Sequence, residues 1–140
     1  MEEGNGSDME NTLLEQLLPD MVAWRRHLHM HPELSYQEKE TSAYVAARLA
    51  EFGIEVKRSS AGFGLTGILK GDKPGKTVVL RADMDALNIT EENGSEYASQ
   101  NKGVMHACGH DGHTAMLLAA ASYYSTRRDG LRGELRFLFQ

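Results

Sequence analysis

The stretch "TVVLRADM", residues 77–84, decides the fold class that this sequence predicts. Its apolar run at residues 78–80 shows no alternation, which is typical of a strand that other structure covers on both faces. Two further strands are predicted before it, at residues 54–58 and 64–70, because both segments contain β-forming residues bounded by turn residues. A turn rich in Gly, Asp and Pro connects the second of these to the quoted strand.

Helices are predicted before these strands. From about Thr12 to the "HMHPE" segment, apolar residues recur at helical spacing, and the proline of that segment disfavours continuation. Pro19 is expected either to kink this helix or to begin its second part. A second helix is predicted between Ser35, which forms a capping box with Glu38, and Gly53.

The rest of the chain continues the alternation of helices and strands. Residues 85–105 are polar without a period and are predicted to form a loop, and a helix is expected to begin near Asp111 or Thr114. "GELRFLFQ", residues 133–140, is predicted to be a strand. Because helices and strands interleave, the sequence indicates a layered α/β domain over residues 12–140. The acidic, polar residues 1–11 are expected to form a flexible tail.

Composition excludes several classes of protein. The 140 residues are 41% hydrophobic and 25% charged, which is ordinary for one globular domain. A formal charge of −5 without a basic cluster argues against a nucleic-acid partner, and no apolar run is long enough to span a membrane. With one cysteine no internal disulfide can form, so we expect a reducing compartment, the cytoplasm.

Two aspartates follow the quoted strand at its carboxyl end. Asp83 and Asp85 are two residues apart, so their side chains are expected to project in the same direction at the rim of the sheet. Neighbouring carboxylates repel each other, and a cation or a shared proton relieves the repulsion. The alternative is structural, with one aspartate capping the following loop and the other paired with Arg81.

"GVMHACGHDGH", residues 103–113, holds the only cysteine and three of the six histidines. Cys108 and His110 are separated by one glycine directly before a predicted helix, and a thiolate and an imidazole suit zinc, cobalt, nickel or manganese. They could also be a nucleophile and its base, or Cys108 could be a buried apolar residue. The spacing favours ligation, because a nucleophile and its base are normally distant in sequence.

The predicted metal site lacks ligands. A catalytic zinc ion usually has three protein ligands, and Asp83 or His113 could supply the third. A general base is also needed, for which Glu91 and Glu92 are candidates that no motif distinguishes.

A second group of histidines, His27, His29 and His31, occupies alternate positions of the first helix. Side chains at this spacing fan around a helix instead of converging, so we expect surface or packing roles for most of them.

Three motifs together closely resemble a known family. "RRHLHMHPELSYQE" (25–38), "RADMDAL" (81–87) and "GVMHACGHDGHTAMLL" (103–118) resemble the amidohydrolase branch of the aminoacylase and carboxypeptidase family of metallohydrolases. That branch includes N-acyl-amino-acid amidohydrolases, hippurate hydrolases and auxin-conjugate hydrolases. The resemblance covers residues 13–140 and implies a catalytic domain with a central mixed sheet flanked by helices.

The resemblance also implies roles for particular residues. Two divalent metal ions (Zn, Mn, Ni or Co) are implied, with Cys108 in place of a bridging carboxylate and His110 as a ligand of one ion. Asp85 matches the catalytic aspartate, which orients a metal-bound histidine in relatives. Asp83 aligns with a histidine ligand of the peptidase branch.

Family members continue after "FLFQ" with a Pro-Ala-Glu-Glu segment that supplies the general base and a ligand. They also contain two later histidine ligands and a lid domain used for dimerisation, and full-length relatives are often homo-oligomers. We therefore expect residues 12–140 to be the front part of a catalytic domain, truncated at its C-terminal end. The complete enzyme is expected to hydrolyse N-acyl amino acids, and the chain alone to be inactive. A non-catalytic remnant with a metal-binding or interaction role, or a thiol hydrolase that uses Cys108, are the alternatives.

Overall fold

The computed structural model describes residues 6–140, which form three α-helices and four β-strands. In chain order these elements are α1 (Gly6–Met30), α2 (Lys39–Glu51), β1 (Glu55–Arg58), β2 (Leu65–Lys70), β3 (Lys73–Ala82), α3 (His110–Ser125) and β4 (Arg132–Phe139). No helix within residues 6–140 combines the length and the apolar character that crossing a bilayer would require.

The four strands form one mixed sheet in the order β1-β2-β4-β3. Strand β2 is antiparallel to both β1 and β4, whereas β3 and β4 are parallel. Parallel neighbours need a crossover connection, and α3 lies in the segment that provides it. This architecture confirms the predicted α/β class with a mixed sheet flanked by helices.

The hydrophobic core is contributed by helices and sheet together. Val45 and Leu49 of α2, Leu118 of α3, and Phe137 and Phe139 of β4 are each fully buried. Burial of a side chain of this size contributes about 1.5–3 kcal/mol to folding. The alternating aromatic residues of β4 therefore place the core on one face of the sheet.

Strand β3 differs from its prediction in burial. The strand is present, but Ala82 is its only buried residue, and Val78 and Val79 are 49% and 55% exposed. Consecutive residues of a strand face opposite sides of the sheet, so both faces are accessible here. The prediction that this strand is covered on both faces is wrong for residues 6–140, because residues 73–81 of β3 are all exposed in this part of the chain.

The first helix begins earlier than predicted. Residues 1–5 of the expected tail lie outside the described residues, and residues 6–11 form the first turns of α1. Pro19 lies inside this helix, which continues to Met30 and ends before Pro32, as predicted.

The start of α2 is capped by a residue that sequence reasoning did not identify. Glu38 stands at the N-cap position without a side-chain hydrogen bond, so the predicted capping box with Ser35 is wrong. Instead, the Glu33 carboxylate accepts hydrogen bonds from the backbone N–H groups of Glu40 and Thr41, at 3.1 and 2.6 Å. The Thr41 hydroxyl donates to it as well, at 2.6 Å. A more distant carboxylate thus satisfies the free donors of the first turn.

Candidate metal centre

The two aspartates lie where β3 and β4 end side by side. The N–H of Met84 donates to the carbonyl of Gln140 at 2.8 Å, and the N–H of Gln140 donates to the carbonyl of Ala82 at 3.0 Å. The Thr114 hydroxyl of α3 donates to the carbonyl of Asp83 at 2.9 Å. These bonds hold the segment after β3 against the first turns of α3, at the edge of the sheet where α/β proteins place ligands.

His110, the first residue of α3, is contacted by both aspartates. Its Nδ1 lies 2.9 Å from Asp85 Oδ1 and 3.0 Å from the Asp85 carbonyl oxygen. Its Nε2 lies 3.7 Å from Asp83 Oδ2. Two acceptors at Nδ1 favour the tautomer with hydrogen on that nitrogen, which leaves the Nε2 lone pair free. Histidines that bind metals through Nε2 are commonly oriented in this way.

The structural alternative for the aspartates is realised in part. Arg81 donates to Asp83 Oδ1 at 2.6 Å and to the side-chain oxygen of Gln140 at 3.0 Å. Asp83 therefore pairs with Arg81, as that alternative expects, while its other oxygen faces His110. The expectation that Asp83 and Asp85 project to the same place is confirmed, because both reach one imidazole.

Cys108 is exposed and its thiol is free. The interpretation of Cys108 as a buried apolar residue is therefore wrong. Within residues 6–140 no histidine nitrogen is hydrogen-bonded to this thiol, so a nucleophile and base pair is not preformed. Between Cys108 and His110, Gly109 has φ +88°, a left-handed conformation that glycine adopts without strain and that turns the chain into α3.

His106 lies in the same stretch and is buried, with 3% of its surface exposed. Neither ring nitrogen has a hydrogen-bond partner among the described residues. Burial lowers the pKa of His106 to about 4; the carboxylate of Asp111 opposes this shift, and the nearby His29 and His110 add to it. This imidazole is therefore neutral at pH 7.

His29 belongs to a buried cluster that the sequence did not predict. Its Nδ1 lies 2.7 Å from Asp111 Oδ2 and its Nε2 lies 2.9 Å from Glu91 Oε1. Arg25 Nε is 3.0 Å from the same Asp111 oxygen. His29 is thus the exception among three histidines of which most were expected to have surface or packing roles. Its partners lie 62 and 82 residues away, beyond any local pattern.

The contacts of Glu91 in this cluster argue against Glu91 as the general base. Only 5% of the Glu91 side chain is exposed. Burial opposes ionisation of this carboxyl, but the hydrogen bond from the N–H of Ser99 and the contact with His29 lower the pKa of Glu91 below its usual value. Glu91 is thus engaged in structure, and the neighbouring Glu92 is exposed.

His27 and His31 have the surface and packing roles that were predicted, whereas His113 was considered only as a possible ligand. The exposed His27 stacks on Tyr44 with ring centroids 4.0 Å apart, and His31 lies 4.7 Å from His27. His113 is exposed, and its ring centroid is 6.0 Å from that of His110.

The side chains present are of types that bind divalent metal ions, but they are too few to form a complete ligand set. An exposed thiol and an oriented imidazole are the ligand types that zinc and related ions prefer. Within residues 6–140, however, no three or more His, Cys, Asp or Glu side chains are grouped so that they could hold a metal ion. Cys108 and His110 can therefore supply only part of a ligand set, and neither Asp83 nor His113 completes it in this arrangement.

A cleft adjoins the two aspartates. Its volume is about 700 Å³, and its lining includes Lys57, Arg58 and Arg81. These three cations face the same space as the carboxylates of Asp83 and Asp85. Glu38 also lines the cleft, so it holds as many carboxylates as cations, and Arg81 is paired with Asp83. Lys57 and Arg58 are therefore the cations of the lining that do not pair with the two aspartates.

Comparison with known proteins confirms the resemblance that the three motifs indicate. Residues 79–140 match the profile of peptidase family M20/M25/M40. The N-acyl-L-amino acid amidohydrolase of Geobacillus stearothermophilus is 54% identical over 129 residues, which are 91% of this chain and 35% of the relative. The N-acetyl-L-cysteine deacetylase of Bacillus subtilis is 46% identical over 91% of this chain and 30% of the relative.

A solved structure shows the same fold. The YXEP protein of Bacillus subtilis, described as a dinuclear metal binding peptidase from the M20 family, is similar with a TM-score of 0.86 and 40% identity. The match covers 90% of this chain and 35% of that chain. The chain therefore spans about a third of the length of the relatives it matches.

Proposed function

We propose that this chain, which carries the profile of peptidase family M20/M25/M40 over residues 79–140, is part of a metal-dependent amidohydrolase of N-acyl amino acids. Two of its relatives are named as an N-acyl-L-amino acid amidohydrolase and an N-acetyl-L-cysteine deacetylase. Both names denote cleavage of an amide bond between an acyl group and an amino acid.

One observation carries the proposal. The Nδ1 of His110 is bound by both the carboxylate and the carbonyl of Asp85, so its Nε2 is presented as a ligand. Asp85 thus acts by orienting His110, and the free thiol of Cys108 supplies a second donor two residues away. Two ions of Zn, Mn, Ni or Co are the proposed cofactors, and a thiolate ligand suits the reducing cytoplasm.

The residues of this chain would bind and orient the reactants. When bound, divalent metal ions would polarise the amide carbonyl and lower the pKa of a bound water. Lys57 and Arg58 in the cleft, which do not pair with the two aspartates, would contact the carboxylate of an N-acyl amino acid, because unlike charges attract. The scissile amide would then lie near Asp83 and His110.

We further propose that residues 1–140 do not hydrolyse amides by themselves. Cys108 and His110 are fewer protein ligands than a catalytic zinc ion usually has. The buried Glu91 is bound by His29 and Ser99 and is not free to accept a proton from water. The missing ligands and the base would come from the part of the catalytic domain that this chain does not span. A lid domain and homo-oligomers are proposed for the complete protein only.

The experiment compares purified residues 1–140 with a version extended through the downstream coding sequence. Metal content is measured by mass spectrometry, and release of glycine from hippurate is measured with and without chelator. We expect chelator-sensitive hydrolysis only in the extended protein, and its loss in His110→Ala but not in His113→Ala, the exposed histidine on the same helix. Hydrolysis by residues 1–140 would refute the inactivity proposal. Chelator-resistant hydrolysis that alkylation of Cys108 blocks would favour a thiol hydrolase.

Metal without hydrolysis in either protein would indicate a non-catalytic, metal-binding remnant. This outcome would refute the amidohydrolase activity while leaving the metal site intact. Absence of metal from both proteins would refute the metal-dependent function altogether.

A further inference from the structure

A buried cluster links three segments that are distant in sequence. His29, in the last turn of α1, contacts Glu91 of the long loop and Asp111 of α3. His29 and Asp111 are 3% and 1% exposed. The reaction proposed above leaves this cluster without a role.

Asp111 connects the cluster to the proposed metal ligand. It directly follows His110 in the first turn of α3, and its Oδ1 accepts a hydrogen bond from the N–H of Gly112 at 2.9 Å. Its Oδ2 is contacted by His29 Nδ1 and by Arg25 Nε. Both carboxylate oxygens are thus fixed, and with them the turn of helix from which His110 projects.

Stability alone does not account for these groups. Each nitrogen of His29 lies against a carboxylate, and Arg25 Nη2 lies 3.3 Å from Nδ1, so polar and charged groups surround this side chain. Burying several charges costs free energy, and an apolar cluster of similar volume would often stabilise a fold as well or better. What the charged cluster adds is a defined position for Asp111, because hydrogen bonds are directional and apolar contacts are not.

We propose that His29 is a positioning residue for His110: through Asp111 it sets the first turn of α3 where His110 Nδ1 meets Asp85 and Nε2 stays free for a divalent cation. This inference rests on the proposed metal function. It requires no contact between His29 and the cation. Of the two carboxylates that contact His29, Asp111 controls the position of His110, whereas Glu91 holds the loop in place.

The two contacts can be separated by substitution. In His29→Asn the amide nitrogen takes about the position of Nδ1 and keeps the bond to Asp111. In His29→Gln the amide nitrogen takes about the position of Nε2 and keeps the bond to Glu91. The measurement is titration of the purified chain with Co²⁺, followed by the absorption of the thiolate-bound ion. We expect His29→Asn to bind with nearly wild-type Kd, and His29→Gln and His29→Ala to bind roughly 10-fold to 100-fold more weakly.

Val45→Ala is the matched control, because Val45 is fully buried in α2 and lies outside the cluster. It should lower the free energy of unfolding without changing the Kd for Co²⁺ in folded protein. Equal Kd values for His29→Asn and His29→Gln would overturn the positioning role. This comparison tests the role even if His29→Ala fails to fold. Absence of Co²⁺ binding by both the wild-type chain and the extended protein would instead overturn the metal function itself, and with it this inference.

Discussion

His106 should make the metal-free chain sensitive to mild acid. Its folded-state pKa is lowered from 6.5 to about 4, chiefly by burial. Below pH 6.5 the unfolded chain therefore binds a proton at His106, whereas the folded chain binds that proton only near pH 4. The stabilisation associated with neutral His106 is complete above pH 6.5 and is lost as the pH falls towards 4.

The magnitude follows from the two pKa values. At pH 5.5 the imidazole is protonated in about ten of eleven unfolded molecules, whereas it is still neutral in the folded state. This preferential protonation of the unfolded state lowers the free energy of unfolding by about 1.4 kcal/mol. At pH 7 the same difference is only about 0.2 kcal/mol. Lowering the pH from 7 to 5.5 should thus remove about 1.2 kcal/mol of stability through His106 alone.

His106→Leu tests this reasoning. The two side chains have similar volume, and the substitution removes a buried N–H group without a partner, which costs about 1–3 kcal/mol in the wild-type chain. We expect His106→Leu to be more stable at pH 7 and to lose about 1.2 kcal/mol less than wild type on going to pH 5.5. Both values come from urea unfolding in the presence of a chelator.

The control is His113→Leu, which changes an exposed histidine of α3. This variant should keep the part of the pH dependence that comes from His106, because it leaves that residue unchanged. If His106→Leu loses as much stability as wild type between pH 7 and 5.5, His106 is not buried in the neutral form and the reasoning is refuted.

Three further predictions test the site, the cap and the core. Asp85→Ala should leave His110 unoriented and weaken Co²⁺ binding roughly 10-fold, measured by equilibrium dialysis; an unchanged Kd would contradict the orienting role. Glu33→Ala should lower the free energy of unfolding by about 1–2 kcal/mol and Ser35→Ala should not, whereas the reverse order in urea unfolding would restore the capping box. Phe137→Ala should cost about 3–5 kcal/mol by the same assay, and a loss below about 1 kcal/mol would show that β4 does not anchor the core.

The sequence predicts most of the elements because their signals are local. Strands over residues 54–58 and 64–70 are observed as Glu55–Arg58 and Leu65–Lys70, each bounded by turn residues. The helix expected near Asp111 begins at His110. These elements depend on side-chain periodicity and turn residues, which a short window of sequence contains.

Features that depend on distant partners were not predictable in this way. Glu33 caps α2 from beyond the usual capping window, so the local Ser35–Glu38 pattern led to a wrong prediction of the capping residue. Burial of β3 was overestimated, because an apolar run indicates a preference for burial but not whether neighbouring structure supplies the cover.

The candidate site also contains one contact that was anticipated and others that no local pattern could predict. Placement of Asp85 beside His110 follows from a strand end that meets a helix start. The family resemblance implied this pairing, whereas spacing indicated only that Asp83 and Asp85 lie together at the rim of the sheet. The contacts of His29 join segments 62 and 82 residues apart, so no pattern within one helix could reveal them. A histidine at alternate helical positions carries no signal of its own.

Metal binding by Cys108 and His110 is the central claim, and equilibrium dialysis of Zn²⁺ against the purified chain tests it most directly. Wild type is compared with Cys108→Ser and with His27→Ala, which changes an exposed histidine stacked on Tyr44. The account predicts that Cys108→Ser loses most of the bound Zn²⁺ while His27→Ala retains it. Equal binding by the two variants would contradict the account.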